Sequence, residues 1–145
     1  MRLASYISAG LLALVPMAFL HPVKVQGNSM EPTLTDGKLV LALWPWCSGK
    51  PSLGEIRILN GPEGKAIKRV MALPGQVLEQ RNGYLLLSGV IVEEPYISFR
   101  DVKNDGLWSS HNGYLLLGDN RPQSRDSRIW GAVDGKVIGG RVLIR

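Results

Sequence analysis

Val77-Leu78-Glu79-Gln80-Arg81-Asn82-Gly83-Tyr84-Leu85-Leu86-Leu87 is the stretch that decides the fold class. Asn-Gly is the dipeptide that best accepts the positive φ angles of a two-residue hairpin turn. Val77–Glu79 and Tyr84–Leu87 lie on either side of it as strand-like runs. The sequence Asn-Gly-Tyr-Leu-Leu-Leu returns at Asn112–Leu117. Two copies are too few for a repeat architecture, so both read as hairpin turns that feed buried strands.

The same short-run pattern extends outward in both directions. Lys38–Leu43 reads as a strand, followed by Trp44-Pro45-Trp46. Leu53–Leu59 is a second, entered through Pro51 and Gly54, and Ala66–Leu73 a third, stopped by Pro74-Gly75. Gly113–Leu117 and Val137–Ile144 complete the set, while Asn104–Ser110 reads as an irregular surface loop. Apolar runs at this spacing, without a helical period, predict a mainly β, antiparallel fold that closes wholly or partly into a barrel.

A chain of 145 residues fits one domain of ordinary size, and 45% hydrophobic residues suffice for a core. The net charge of +5 is mild and its basic residues are scattered. That excludes a nucleic-acid footprint, while some attraction to anionic lipid head groups fits. Cys47 is the only cysteine, which excludes an intrachain disulfide and a cysteine-based zinc site. His21 and His111 are the only histidines, which argues against a multi-histidine metal centre. No metal or cofactor is expected.

Leu3–Leu20 is almost wholly apolar. As a helix it rises about 27 Å, enough to cross a hydrocarbon core. A cleaved signal peptide is the rival reading, but Phe19-Leu20-His21-Pro22 is bulky where a small-x-small cleavage site belongs. The expectation is a membrane anchor over residues 1–22 and one β domain over 23–145.

The first soluble stretch, Gly27-Asn28-Ser29-Met30-Glu31-Pro32-Thr33-Leu34, sets a serine between a glycine and a proline. Such a turn presents one hydroxyl rigidly, and ordinary loops use the same residues. A serine nucleophile needs a base beside it. His21 sits at the membrane edge, and His111 lies in a loop without a motif, so a Ser-His-Asp triad is disfavoured and a lysine base is the alternative. Lys68 is the candidate. On an extended strand it shares a face with Ala66, Val70 and Ala72, and an apolar face would desolvate the amine and lower its pKa. A surface lysine on an edge strand fits the same residues. Gly118-Asp119-Asn120-Arg121, with Ser124, Asp126, Ser127 and Arg128, forms a dense polar loop straight after Tyr114–Leu117. Asp126 and Arg128 are placed to pair and fold that loop back.

Together these three stretches resemble the type I signal peptidases, membrane-bound serine proteases that cleave signal peptides from exported proteins. Gly27-x-Ser29-Met30-x-Pro32-Thr33-Leu34, Lys68-Arg69-Val70-x-x-Leu73-Pro74-Gly75 and Gly118-Asp119-Asn120-Arg121-x-x-Ser124-x-Asp126-Ser127-Arg128 match in order, and Glu94-Pro95-Tyr96 and Trp130-Gly131 also look like the family. The resemblance spans about Val23–Arg145. It implies Ser29 as nucleophile and Lys68 as general base. Ser124 would hydrogen-bond the lysine amine, and Asp126, Arg128 and Arg69 would form an ionic scaffold. The Ser29 N–H would be one oxyanion donor. Position 27, where many members carry a second, hydroxyl donor, is Gly27 here. Gln76 stands where an acidic residue often follows the Pro-Gly. The implied partners are preprotein signal peptides and the lipid bilayer, with no nucleic acid and no metal. The implied location is a single-pass protein of the cell membrane or an organelle's inner membrane, its catalytic domain on the outer face. Trp44 and Trp46 suit a membrane interface, or equally the core. A self-cleaving repressor-type peptidase also resembles the Ser-Lys arrangement, but it would carry a DNA-binding domain in place of an anchor. The remaining alternative is a non-catalytic, membrane-tethered peptide-binding β module.

Overall fold

The computed structural model describes residues 18–143. The expected anchor lies largely outside these residues. Among those described, no helix is long and apolar enough to cross a membrane. Leu20–Pro22, read from sequence as the end of the apolar segment, instead open strand β1 (Leu20–Lys24). Pro22 is tolerated because β1 is the edge of its sheet.

The remaining strands are β2 (Leu39–Leu43), β3 (Ile56–Gly61), β4 (Gly64–Ala72), β5 (Val77–Arg81), β6 (Tyr84–Leu87), β7 (Val90–Ile91), β8 (Gly106–Ser109), β9 (Leu115–Leu117) and β10 (Ile138–Leu143). A single turn of α-helix, α1 (Ser127–Trp130), follows β9. All ladders are antiparallel, as expected. The barrel is not: the strands form two open sheets, ordered β1-β2-β10-β3-β4-β9 and β7-β6-β5-β8. The division falls at Leu73–Gln76, where Pro74 offers no N–H and Gly75 turns the chain at φ +85°. In the first sheet β10 is inserted between β2 and β3, so it alone joins β1–β2 to β3–β4 by backbone hydrogen bonds.

Asn82-Gly83 makes the predicted hairpin. Both residues have positive φ (49° and 78°), and Arg81 pairs with Tyr84 across the turn. Its repeat at Asn112-Gly113 is not a hairpin, because β8 and β9 belong to different sheets. Gly113 is there for close approach: a Cβ would lie 2.5 Å from the Val133 carbonyl oxygen. Within the stretch read as a loop, Gly106–Ser109 is strand β8 on β5, with Leu107 outward and Trp108 half-buried inward.

Three apolar clusters make the core. Val25, Met30, Leu34, Val40, Ala42, Ile56 and Val142 fill the first. Leu59, Val70, Leu116 and Val133 form the second, with Ala66 packed against it. The third joins the two sheets through Met71, Leu78, Leu85, Leu115 and Leu117. The three β9 leucines are buried on both faces, which is why that strand reads as an unbroken apolar run. On β4 the register skips Met71 opposite β9, a bulge that ends the side-chain alternation. Ala72 therefore joins Met71 in the third cluster and leaves the face of Ala66 and Val70.

Candidate active site

Ser29 lies on the turn between β1 and β2. The Gly37 N–H donates to the Val25 carbonyl, the Glu31 N–H to Asn28, and the Leu34 N–H to Met30. Met30 and Leu34 are plugged into the first core cluster on either side of the Glu31–Pro32 step. The turn is thus clamped from beneath while Ser29 stays half-exposed. Gly27 adopts φ +80°, so a serine there would be strained although the space is open. Its N–H donates to Asp36 Oδ1 at 2.8 Å. Residue 27 therefore offers no free donor for an oxyanion, contrary to the role considered for it. The Ser29 N–H has no backbone acceptor among the described residues.

Lys68 points from β4 to the same place. Its Nζ is 2.6 Å from Ser29 Oγ. The residue is 4% exposed, so the surface-lysine reading is wrong. Burial pushes its pKa below the ordinary lysine range; the Asp126 and Asp119 carboxylates pull it partly back, and Arg128 pushes it down. A desolvated amine touching a serine hydroxyl is what a general base needs: once neutral, its lone pair can accept the hydroxyl proton.

The ionic scaffold is split in two. Arg69 does not reach Asp126 or Arg128; it makes a two-pronged pair with Asp119, Nε to Oδ1 at 2.8 Å and Nη2 to Oδ2 at 2.6 Å. Burial works against the Arg69 charge, but Asp119 outweighs it and its pKa is raised. Tyr96 lies under the guanidinium at 3.8 Å, and burial together with Glu94 pushes its hydroxyl up to about 12. Asp119 also accepts the Thr33 hydroxyl at 2.5 Å. The neighbouring Asn120 donates its N–H to the Ser29 carbonyl at 3.0 Å and its amide to Asn28 at 3.1 Å. The Ser29 turn is thus fastened to β4 through the Asp119-Asn120 loop.

The second half is the expected Asp126–Arg128 pair, Nε to Oδ1 and Nη2 to Oδ2, both at 2.9 Å. Asp126 Oδ2 also takes the Gly118 N–H, and Arg128 reaches on to Asp101 at 3.1 Å. A third buried pair, Arg121 with Glu94 at 2.6 Å, closes the loop on its far side. Sequence reasoning quoted Thr33, Glu94, Asp119, Asn120 and Arg121 as motif positions without giving them a role, and it missed Asp101. A polar loop leaving a fully buried strand must satisfy its own charges, and that was the signal available.

Ser124 is buried next to the site but makes no hydrogen bond to Lys68. Its Oγ has no partner among the described residues and packs against Gly118. Beside Ser29 and Lys68 runs a cleft of about 150 Å³ between Val25–Gly27 and Lys65–Lys68.

A hydroxyl paired with a desolvated amine beside a cleft is an arrangement that serine-peptidase chemistry can use. The family model "Signal peptidase, peptidase S26" matches residues 1–145. Signal peptidase I P of Bacillus subtilis subsp. natto is 35% identical, over 84% of this chain and 74% of that protein. Signal peptidase I of Bacillus licheniformis is 34% identical, over 92% and 81%. Signal peptidase IB of Staphylococcus aureus is 30% identical, over 93% and 82%. The crystal structure of a signal peptidase I from Enterococcus faecalis V583 superposes with a TM-score of 0.54 at 30% identity, covering 65% of this chain and 97% of that one. The chain belongs to the signal peptidase family, peptidase S26, and is a serine-type endopeptidase.

Proposed function

We propose that this protein removes N-terminal signal peptides from exported preproteins, cutting after small residues with a Ser29/Lys68 dyad. The single observation that carries the reading is the 2.6 Å contact between Lys68 Nζ and Ser29 Oγ in a desolvated setting. Neutral Lys68 takes the Ser29 proton as Oγ bonds to the scissile carbonyl carbon. The resulting oxyanion meets the unengaged Ser29 N–H. Lys68 returns the proton to the departing amine nitrogen as the C–N bond breaks, leaving an ester on Ser29. Water then attacks the ester, Lys68 takes its proton, and Ser29 recovers one as the acid is released. Ser124 Oγ, buried and unpartnered, is the hydroxyl available to hold the Lys68 amine when it carries a proton. Asp126, Arg128 and Arg69 hold the site's walls, the first two as one ion pair and the last through Asp119. The narrow cleft between Val25–Gly27 and Lys65–Lys68 suits small side chains of the A-x-A kind.

We place the enzyme at a membrane, anchored by its apolar N-terminal segment with the β domain on the outer face. Leu39, Leu41 and Leu143 line one apolar hollow, and the exposed rings of Trp44 and Trp46 follow the end of β2; exposed apolar side chains of this kind support a membrane surface.

The test is incubation of the protein with a preprotein in detergent, with mass analysis of the products. Wild type should give one cut after a small residue, and Ser29→Ala and Lys68→Ala should each give none. Cleavage that survives in Lys68→Ala would overturn the base assignment; a wild type that cuts no preprotein would overturn the function.

A further inference from the structure

The cleft lined by Ser29 and Lys68 has a floor and a rim. Val25 and Met30 are buried, and Ile67 packs against the cluster that holds them, so this apolar floor suits a small side chain. Gln26 and Lys65 are the exposed long side chains of the lining and stand at the rim. On β4 Lys65 shares a face with Ile67, the face that meets the Val25 and Met30 cluster.

Lys65 makes none of the ion pairs found among the described residues. The nearby carboxylate of Glu63 is taken by Arg125. Lys68 also lines the cleft, but the form of Lys68 that acts as base is neutral. Lys65 is then the one charged side chain in the lining. It lies three residues before Lys68, about 10 Å along the strand. An extended substrate gains the same length in three residues, so Lys65 stands beside the small-x-small sequence and not beside the cut. Successive side chains of an extended peptide point to opposite faces. With the two small ones on the floor, x is turned to the rim.

We propose that Lys65 is a specificity-determining residue, which favours an acidic and disfavours a basic side chain at x. The proposal rests on the peptidase reading above, which lays the small-x-small half of the substrate in this cleft. It adds a preference by charge to the preference by size, and the two come from different parts of the lining. Lys65 takes no part in the proton transfers of Lys68.

The test uses one signal-peptide sequence ending in Ala-x-Ala, with Asp, Gln or Lys as x. kcat/KM is measured for wild type, Lys65→Gln and Lys65→Glu, and the Asp/Lys ratio is compared within each, so that a general loss of activity cancels. Wild type should prefer Asp to Lys by about two- to fivefold, the range of an exposed charge pair, and added salt should shrink the preference. Lys65→Gln should flatten the ratio and Lys65→Glu should invert it. A ratio that is the same in all three proteins, or that favours Lys in wild type, overturns the role of Lys65 while leaving the peptidase reading intact. A second peptide set carries Ala at x and the charge two residues after the cut. A ratio that follows residue 65 in that set and not in the first overturns it as well, by placing Lys65 beside the departing half. A wild type that cleaves none of the peptides overturns the peptidase reading, and the role of Lys65 with it.

Discussion

Gly118 and Ser29 meet with no room for a methyl group between them. A Cβ on Gly118 would lie 2.4 Å from the Ser29 carbonyl oxygen and 2.2 Å from Ser124 Oγ. The contact lets the polar loop lie directly on the serine turn, so that Asn120 can reach that same carbonyl. Gly118→Ala should push the turn off Lys68. A displacement of about 1 Å at a reacting group costs on the order of 10²-fold. The expected outcome is a loss of kcat of that size in a protein whose circular dichroism is unchanged. Full activity would mean that the loop gives way without moving Ser29.

Lys68 sets a conflict between activity and stability. Its folded pKa lies below its unfolded value, so a protonated Lys68 is a desolvated charge in the fold that the unfolded chain hydrates freely. The cost is full below the folded pKa and vanishes as pH rises past the unfolded value, near about 10.4. Stability from this group therefore rises with pH across that window, and activity rises with it as the amine loses its proton. Lys68→Met should be inactive yet more stable at neutral pH, by roughly 1 kcal/mol or more, with the gain fading towards high pH. Thermal melts of both proteins across the alkaline range would check this. A Lys68→Met variant less stable than wild type at neutral pH would contradict it.

Asp119 is the joint between β4 and the serine turn, and its charge is the only one Arg69 pairs with among the described residues. Asp119→Asn leaves a buried guanidinium without its counter-charge, which costs about 3–5 kcal/mol where such pairs are broken. It also weakens the hold on Thr33. Denaturant unfolding should show the stability loss, and reaction of Ser29 with a covalent serine probe should slow in parallel. Unchanged stability would show that Asp119 is replaceable as an anchor.

The sequence carried the hairpin and the strand-rich class through local signatures, and the contact of Ser29 with Lys68 through the family resemblance. Asn82-Gly83 needs two positive φ angles that other residues resist, and Lys68 lies on a strand with small apolar neighbours. The partition into two sheets was not legible. It depends on β4 pairing with β9 while β5 pairs with β8, and those partners are distant along the chain. Strand β8 was missed because Leu107 faces solvent and Gly106 reads as a turn. Its register is supplied by β5. The partner of Arg69 within the ionic scaffold went unnamed for a related reason. Asp119 and Asp126 lie on the same loop, and only the folded path of Gly118 and Asn120 decides which carboxylate faces β4.

The position of β10 has a consequence for how the enzyme comes into being. Ser29 follows β1 and Lys68 sits on β4, and among the described strands it is β10, made after both, that joins their two strand pairs into one sheet. While the chain is growing on the ribosome, the serine and its lysine are already synthesised, but the ladder that unites their halves of the sheet is missing. Catalytic competence thus arrives late in translation, when Ile138–Leu143 slides into the gap.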